Sequence, residues 1–350
     1  MWGKARRHLG VVLPVGKVPV DLLRGLLARF GRDYDPSVVV GAGIGLDAAV
    51  IRLGRRLLVA KTDPITFVAD EIGTYALLVN ANDLAVMGAT PKWFLAAVLL
   101  PSGSTSNSVK NLFAQLHAVC RRLNVSLCGG HTEITPAVTR PIVVGCLLGE
   151  CAPGRVTTAA GARVGDAVLL TKGLAIEAVS ILARELADEI RQRFGEHFLA
   201  RCRRYLQDPG LSVVKEAHLA LSSGGVHAMH DPTEGGLSAA LYELAEAADV
   251  GLAIEADTIP VLSEAARLSE CFKFDPFGAI ASGALLICVD PRQEPKMMRR
   301  FRTARIPITR IGRVVKRSLG VRLSEDGRTS QFPRFAVDEL ARLFQKAVPS

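Results

Sequence analysis

The sequence predicts an α/β (α+β) protein of two domains, and three observations indicate this. The chain has 350 residues, a length for which two domains are the default. Its hydrophobic fraction of 49% is ample for a core. Strand-like and helix-like segments alternate in both halves, which favours α/β units over a helical bundle. A Gly-, Pro- and Thr-rich stretch at 151–165 separates the halves, so we expect domains at 1–152 and 153–350.

Composition argues against several classes of protein. No apolar run reaches the roughly 18 residues of a membrane helix, and residues 1–16 lack a convincing signal-peptide core and cleavage site. The seven cysteines include no C-x-x-C pair, which favours free thiols in a reducing cytoplasm over disulfides or zinc. The net charge is +9, but only 5% of residues are aromatic, so we expect an acidic ligand or a solvated face rather than nucleic acid.

The first elements are a short amphipathic helix and a glycine run. The helix is predicted at 20–30, and the segment before it forms a flexible arm that carries Lys17. In VVVGAGIGLDAAVI the third glycine comes one position too early for G-x-G-x-x-G, and a strand-like segment follows it. A nicotinamide-dependent oxidoreductase is therefore an outside alternative. A glycine turn that lets backbone approach phosphate fits without that fold.

Three carboxylates mark the central stretch of the chain. Asp47 precedes a predicted hairpin whose second strand ends at Asp63 and is stopped by Pro64. A helix follows, carries Asp83 in its last turns and ends at Gly88. Carboxylates on adjoining elements suit Mg²⁺ held against a polyphosphate. The sequence therefore predicts a magnesium–nucleotide site here.

The next elements are a strand at 92–100, a helix capped by Ser106 or Asn107, and a strand that leads into the segment Gly129–Glu133. Paired glycines beside a hydroxyl and a carboxylate can wrap phosphate or metal. By itself, the segment fits a tight turn better. A buried strand is expected at 140–150.

The second half continues this alternation of strands and helices, with a break at Asp208–Gly210. Its clearest candidate is Asp231, in HDPTEGG at the start of a helix, where it can hold a metal, position a nucleotide or cap the helix. No zinc pattern surrounds His227 and His230, so both are expected to be structural.

Seven segments together resemble a known family: GAGIGLDAAVI, KTDP, NANDLAVMGATP, GGHTE, GDAVLLTKG, HDPTEGGL and IASGALLI. Their order and spacing are similar to those of the aminoimidazole ribonucleotide synthetase-like superfamily, over nearly the whole chain. Within it, the sequence most resembles HypE hydrogenase-maturation proteins and their unassigned relatives. The resemblance implies a PurM-like fold, in which an N-terminal half-barrel is completed by dimerisation and a C-terminal α/β domain follows.

The resemblance also implies Mg-ATP in the cleft between the domains and phosphoryl transfer to a small acceptor. The expected metal ligands are Asp47, Asp63, Asp83 and Asp231. Expected nucleotide contacts are Lys17, Thr62, Asn82, Gly129, Gly130, Thr132 and Glu133. Lys61 or His131 is expected to serve the acceptor as a catalytic residue.

Two departures from HypE proteins bear on the acceptor. The chain ends Ala347-Val348-Pro349-Ser350 where those proteins carry a cysteine, and Ser282 stands where they carry a glutamate. We therefore expect chemistry other than the HypE route. A HypE-type maturation factor and a non-catalytic nucleotide-binding scaffold with a maturation-protein partner remain alternatives.

Overall fold

The first half of the chain folds around a six-stranded sheet. The computed structural model describes residue 13, residues 15–31 and residues 35–347, so the predicted features at 1–12, Pro349 and Ser350 lie outside it. The strands are β1 (Val38–Val40), β2 (Ala49–Leu53), β3 (Arg56–Ile65), β4 (Thr90–Pro101), β5 (Ser126–Thr135) and β6 (Ile142–Cys151). They lie in the order β1-β2-β3-β6-β4-β5, with every neighbouring pair antiparallel except β4 and β5.

Two strand boundaries differ from the predictions. Strand β3 continues through Pro64, which is paired with Val144 of β6, so the predicted stop was wrong. Strand β5 likewise runs on through Gly129 and Gly130 to Thr135, where a strand end or tight turn was expected. A Cβ at Gly130 would lie 2.1 Å from the carbonyl oxygen of Ala96, so this glycine permits the close pairing of β5 with β4.

The described residues of the first half form three α-helices: α1 (Val20–Phe30), α2 (Ile72–Val86) and α3 (Ser106–Leu123). Helix α1 contacts the second half, where its Arg24 pairs with Glu246. The predictions of α1 and α2 are confirmed, and every residue of α2 is buried. Helix α3 begins earlier than predicted, because Thr105 is its N-cap in a capping box with Ser108.

Helix α2 covers one face of the sheet and leaves the other face open. Cβ atoms built at Gly145 and Gly149 would meet Asn80 and Leu84 of α2, so these alternate positions of β6 face the helix. The intervening positions of β6 from 142 to 148 are half-buried and apolar, as are several neighbours on β3 and β4, whereas Thr62 and Pro64 on the same face are exposed. The apolar part of this open face consists of Leu58, Leu95, Leu99, Val144 and Leu148.

The second half contains a seven-stranded sheet of order β13-β12-β9-β11-β7-β10-β8. Its strands are β7 (Ala167–Thr171), β8 (Val226–His230), β9 (Val250–Glu255), β10 (Leu286–Val289), β11 (Ile308–Lys316), β12 (Val321–Glu325) and β13 (Arg328–Gln331). Strands β8, β12 and β13 were not predicted. Strand β8 is the most important of these three for function, because His230 of the candidate functional site is its last residue.

Eight helices surround this second sheet: α4 (Ile176–Glu185), α5 (Ala187–Phe194), α6 (Glu196–Arg204), α7 (Val214–Ser223), α8 (Gly236–Ala247), α9 (Ser263–Phe272), α10 (Glu294–Thr303) and α11 (Glu339–Ala347). Helices α4 and α5 meet at Leu186, which is the C-cap of the first and the N-cap of the second. The chain crosses between the two sheets within 152–166, and the boundary at 152 stays a prediction. Among the described residues, no helix has the length and apolar character needed to cross a membrane.

Candidate functional site in the cleft between the two sheets

A lysine and two aspartates form the first part of the site. Lys61 and Asp63 are two residues apart on β3 and therefore project to the same side. Lys61 Nζ lies 3.5 Å from Asp63 Oδ2 and 3.2 Å from Asp83 Oδ2. Asp83 comes from the last turn of α2 and is only 2% exposed. The central hairpin and helix thus bring together the residues that the sequence placed there.

The negative charges in the cleft are crowded. Burial raises the pKa of Asp83 well above its usual value, and the charges of Asp231, Asp47 and Asp63 add to this effect while Lys61 opposes it. Burial also raises the pKa of Asp231 to about 7, with a further contribution from Asp47. A bound cation would relieve this repulsion, because an opposite charge favours the ionised form of each carboxyl group.

His230 connects Asp47 to Glu243 of helix α8. Its Nδ1 lies 2.9 Å from Asp47 Oδ1, and its Nε2 lies 2.9 Å from Glu243 Oε2 on α8. Burial lowers the pKa of His230, but the two flanking carboxylates outweigh it and hold that pKa well above the ordinary value. Asp231 follows His230 directly at the end of β8, and donor atoms of Asp47, His230 and Asp231 lie within 4.8 Å of one another.

The N-terminal arm reaches the same cleft. The backbone N–H of Lys17 donates to Glu234 Oε1 at 2.7 Å, and Lys17 Nζ lies 3.3 Å from Thr233 Oγ1 and 3.7 Å from Glu243 Oε1. The Lys17 side chain is still 52% exposed. Lys17, one of the predicted nucleotide contacts, therefore lies at the open side of the cleft.

Thr62 and Asn82, both predicted to contact nucleotide, make bonds within the protein. Thr62 Oγ1 donates to the carbonyl of Gly145 at 2.9 Å. Asn82 is fully buried; its Nδ2 donates to the Leu211 carbonyl and its Oδ1 accepts from the Val213 N–H, each at 2.8 Å. Asn82 thus joins α2 to the second half of the chain.

The segment Gly129–Glu133 lies away from the aspartates. It occupies β5, the edge strand, where Gly130 is aligned with Asp63 through Ala96 and Gly145. Three strand spacings separate the two positions, about 14 Å. His131 lies on this edge with its side chain 71% exposed, and its Nε2 is 3.6 Å from Glu133 Oε2. Within one protomer, the two predicted catalytic residues Lys61 and His131 are not brought together.

A further carboxyl group lies beside Ser282. The N–H of Ser282 donates to Glu177 Oε2 at 3.2 Å, and Glu177, from the first turn of α4, is 3% exposed. Burial raises the pKa of Glu177 to about 7, although the Ser282 hydrogen bond opposes the shift. The position where the resemblance implied a missing glutamate therefore has a carboxyl group supplied by another element.

Buried carboxylate oxygens without hydrogen-bond partners indicate whether these residues suit a metal ion. Among the described residues, buried oxygens without a hydrogen-bond partner include Asp47 Oδ2 and both carboxylate oxygens of Asp231, while Asp83 Oδ2 is ion-paired with Lys61 Nζ. Buried carboxylate oxygens are hard ligands, and such atoms ordinarily find partners in a folded protein. The residues therefore fit a divalent cation.

Sequence reasoning missed His230 and Glu243. His230 was assigned a structural role, and Glu243 was not singled out. Glu243 lies in a helix of ordinary composition, and no local pattern distinguishes it. Its role depends on α8 packing beside β8.

Comparison with known proteins places the chain in a family. The model of the AIR synthase related protein N-terminal domain matches residues 45–151, and that of the C-terminal domain matches residues 163–324. The chain has two sheet-containing domains with a carboxylate-lined cleft between them. It belongs to the AIR synthase-related family.

Curated relatives of several activities are similar over most of their length. A putative hydrogenase expression/formation protein of Methanocaldococcus jannaschii is 26% identical over 284 residues, covering 78% of this chain and 80% of that one. The carbamoyl dehydratase HypE of Bradyrhizobium diazoefficiens is 27% identical over 286 residues (79% and 77%). The selenide, water dikinase of M. jannaschii is 25% identical over 301 residues (82% and 84%).

Solved structures show the same fold. The HypE–HypF complex includes a chain that matches with a TM-score of 0.74 at 19% identity, covering 90% of this chain and 99% of that one. The hydrogenase maturation protein HypE in complex with ATP matches with a TM-score of 0.68 at 23% identity, covering 92% and 96%. The PurM-like fold expected from the sequence is therefore confirmed.

Proposed function

We propose that the protein is an enzyme that transfers a phosphoryl group from Mg-ATP to a small acceptor. The observation that carries the proposal is the convergence of Lys61 with four aspartates in the cleft between the sheets. Relatives support it, since they include a selenide, water dikinase, and a related HypE has been solved with ATP.

Phosphoryl transfer asks a protein mainly for positioning and for charge neutralisation. In the proposal, Asp47, Asp63, Asp83 and Asp231 hold magnesium, which supplies charge neutralisation at the phosphates when it is bound. Lys61 is the proposed catalytic cation, because its ammonium already lies among these carboxylates. Lys17 is proposed to contact the terminal phosphate from the arm at the open side of the cleft.

The positions of the other predicted nucleotide and acceptor contacts support those roles to different degrees. Thr62 stays a proposed nucleotide contact, although its side chain projects to the face of β3 opposite Lys61 and Asp63. The bonds of Asn82 favour a role in joining the two halves. Gly129, Gly130, Thr132 and Glu133 stay proposed nucleotide contacts, and His131 stays a proposed acceptor residue, for ligands that reach the sheet edge.

We also propose that the protein is a homodimer built through its N-terminal sheet. The open face of that sheet is apolar and half-exposed, and every residue of β5 from Ser126 to Ile134 is exposed. Pairing two such sheets would cover both the apolar face and the unpaired edge. This is the half-barrel arrangement that the resemblance implied.

A HypE-type role in hydrogenase maturation, with a HypF-like protein as partner, is the second candidate. The names of several relatives favour it. Product analysis separates the two candidates: purified protein with ATP and a panel of small acceptors yields a phosphorylated product under the first. Under the second, product forms only when the carbamoyl-transferring partner is present. No ATP turnover in either mixture would contradict both.

A further inference from the structure

We propose that helix α10 and the start of strand β11 form a surface that binds an acidic segment of a partner protein, with one apolar side chain of that segment in a pocket beside two arginines. This α10 basic surface consists of Lys296, Arg299, Arg302, Arg305 and Arg310. The inference goes beyond the proposed function and does not depend on it, because none of these residues is a proposed contact of Mg-ATP or of the acceptor.

The positive charge of the chain is concentrated in one segment. Residues 291–330 contain 12 lysines and arginines and three aspartates and glutamates, which gives the segment a formal charge of +9. The whole chain also carries +9, so the rest of the sequence is electrically balanced. A surface with charge of one sign attracts ligands of the opposite sign, which indicates an acidic partner.

Four of the five cations lie on α10 or directly after it. Lys296, Arg299 and Arg302 are three residues apart, so they are neighbours along one side of the helix. Arg305 follows in the turn between α10 and β11. All four side chains are exposed, and none of them forms an ion pair with another residue in the part of the chain that the structure describes. Their charges are therefore available to a partner.

Strand β11 brings the fifth cation back to the first turn of the helix. Arg310 Nη1 lies 3.3 Å from Glu294 Oε2, and the Arg310 side chain is still 49% exposed. Arg300 is different, because its guanidinium donates to the carbonyl of Ser222 on α7. The five exposed cations thus follow α10, a helix of ten residues and therefore about 15 Å in length.

A pocket of about 290 Å³ opens between α10 and β11. It is lined by Met298, Arg302, Arg305, Ile306, Pro307 and Ile308. Four of these six residues are apolar, so the pocket suits an aliphatic side chain. The two arginines at the same pocket suit carboxylates on either side of it, because a guanidinium can bind a carboxylate through two parallel hydrogen bonds.

The pocket favours an acidic protein segment over nucleic acid. A phosphate backbone would pair with the arginines but has no apolar group for the pocket. The aromatic residue of α10, Phe301, is buried, so the helix offers no ring on which a base could stack. A glutamate- or aspartate-rich segment with a leucine-like side chain complements both features.

The α10 basic surface lies at the same end of the second sheet as the cleft. Ile308 is paired with Thr171 of β7, and the adjacent Leu170 is aligned through Leu286 with His230. Three strand spacings, about 14 Å, therefore separate Ile308 from the level of His230. The surface is distinct from the proposed metal ligands, and a partner bound to it would lie beside the cleft.

The test measures binding of fluorescent probes to the full-length protein by anisotropy. The main probe is a short peptide of glutamates around one central leucine. A second peptide has serine in place of the leucine, and a short DNA duplex provides a polyanion without an apolar group. The informative variant combines Arg302→Gln with Arg305→Gln. The matched control combines Arg193→Gln with Arg204→Gln, the same charge change at exposed arginines of α5 and α6.

We expect saturable binding of the leucine peptide by the unmodified protein, and this binding should weaken as the salt concentration rises. The Arg302→Gln, Arg305→Gln variant should bind at least about tenfold more weakly, because charge-assisted hydrogen bonds are lost. The control variant should bind like the unmodified protein. The serine peptide and the DNA duplex should both bind the unmodified protein more weakly than the leucine peptide does.

Equal weakening in the two variants would show that only net charge matters and would overturn the inference. So would the absence of saturable binding, equal affinity for the two peptides, or tighter binding of the duplex. These last three results come from the unmodified protein and therefore decide the matter even if a variant does not fold.

Discussion

Lys61 and Asp83 form an ion pair across the junction of β3 and α2, with Nζ 3.2 Å from Oδ2 and the Asp83 side chain 3% exposed. A lysine therefore stands among the carboxylates that we propose as metal ligands. It balances part of their charge and provides a cation for a bound phosphate.

Mg-ATP is expected to stabilise the folded protein, and Asp83→Asn is expected to abolish most of that gain. A ligand at about 100 times its dissociation constant adds about 2.7 kcal/mol to the free energy of unfolding. The amide cannot replace the charge of the buried carboxylate at the metal. Thermal unfolding with and without Mg-ATP measures the gain for each protein separately.

The control for this experiment is Asp188→Asn, because that carboxylate is 96% exposed on α5 and is paired with Arg191 of the same helix. The Asp188→Asn variant should keep the full stabilisation by Mg-ATP. An unchanged melting temperature of the unmodified protein in millimolar Mg-ATP would count heavily against the proposed nucleotide site.

The protein is expected to be a homodimer at micromolar concentration, with twice the chain mass of 37.4 kDa by light scattering. Leu99→Glu on the open face should favour the monomer, because it places a charge within the proposed apolar contact. Leu319→Glu is the control, since Leu319 is 53% exposed and lies in the second half. A mass of 37 kDa for the unmodified protein would rule out this dimer.

Asn82→Ala is expected to destabilise the protein without any ligand present. The change leaves the Leu211 carbonyl and the Val213 N–H without their partner, and a buried unsatisfied group costs about 1–3 kcal/mol. Chemical denaturation measures the loss. If unfolding were unchanged and only nucleotide affinity fell, the original prediction that Asn82 contacts the cofactor would be favoured instead.

Glu177→Gln is expected to change how stability depends on pH. The pKa of Glu177 is raised in the fold from 4.5 to about 7 by burial. Its contribution is therefore most favourable below about pH 4.5 and is lost as the pH rises through about 7. The glutamine removes this loss, so the variant should unfold at a higher temperature than the unmodified protein at pH 8 and at a similar temperature near pH 5.

Glu270→Gln, an exposed position on α9, serves as the control and should unfold like the unmodified protein at both pH values. A pH-independent difference between Glu177→Gln and the unmodified protein would mean that Glu177 does not change its ionisation in this range.

Much of the architecture could be predicted from local patterns. The period of apolar residues predicted α2, the hairpin of β2 and β3, and most strands of both sheets. Strand β8 and the hairpin of β12 and β13 were missed. They are short, and β13 is fully exposed, so no apolar alternation marks it.

The sequence by itself determined that Asp63 and Asp83 come close to Lys61, because they lie near the ends of two elements that are adjacent in the chain. Only the tertiary structure decided that His230 stands between Asp47 and Glu243, and that Gly129–Glu133 lies on a distant sheet edge. The physical reason is that local propensity acts over a few residues. Contacts between distant residues are determined by the order of strands in each sheet and by the packing of the two halves, through contacts such as those of Asn82.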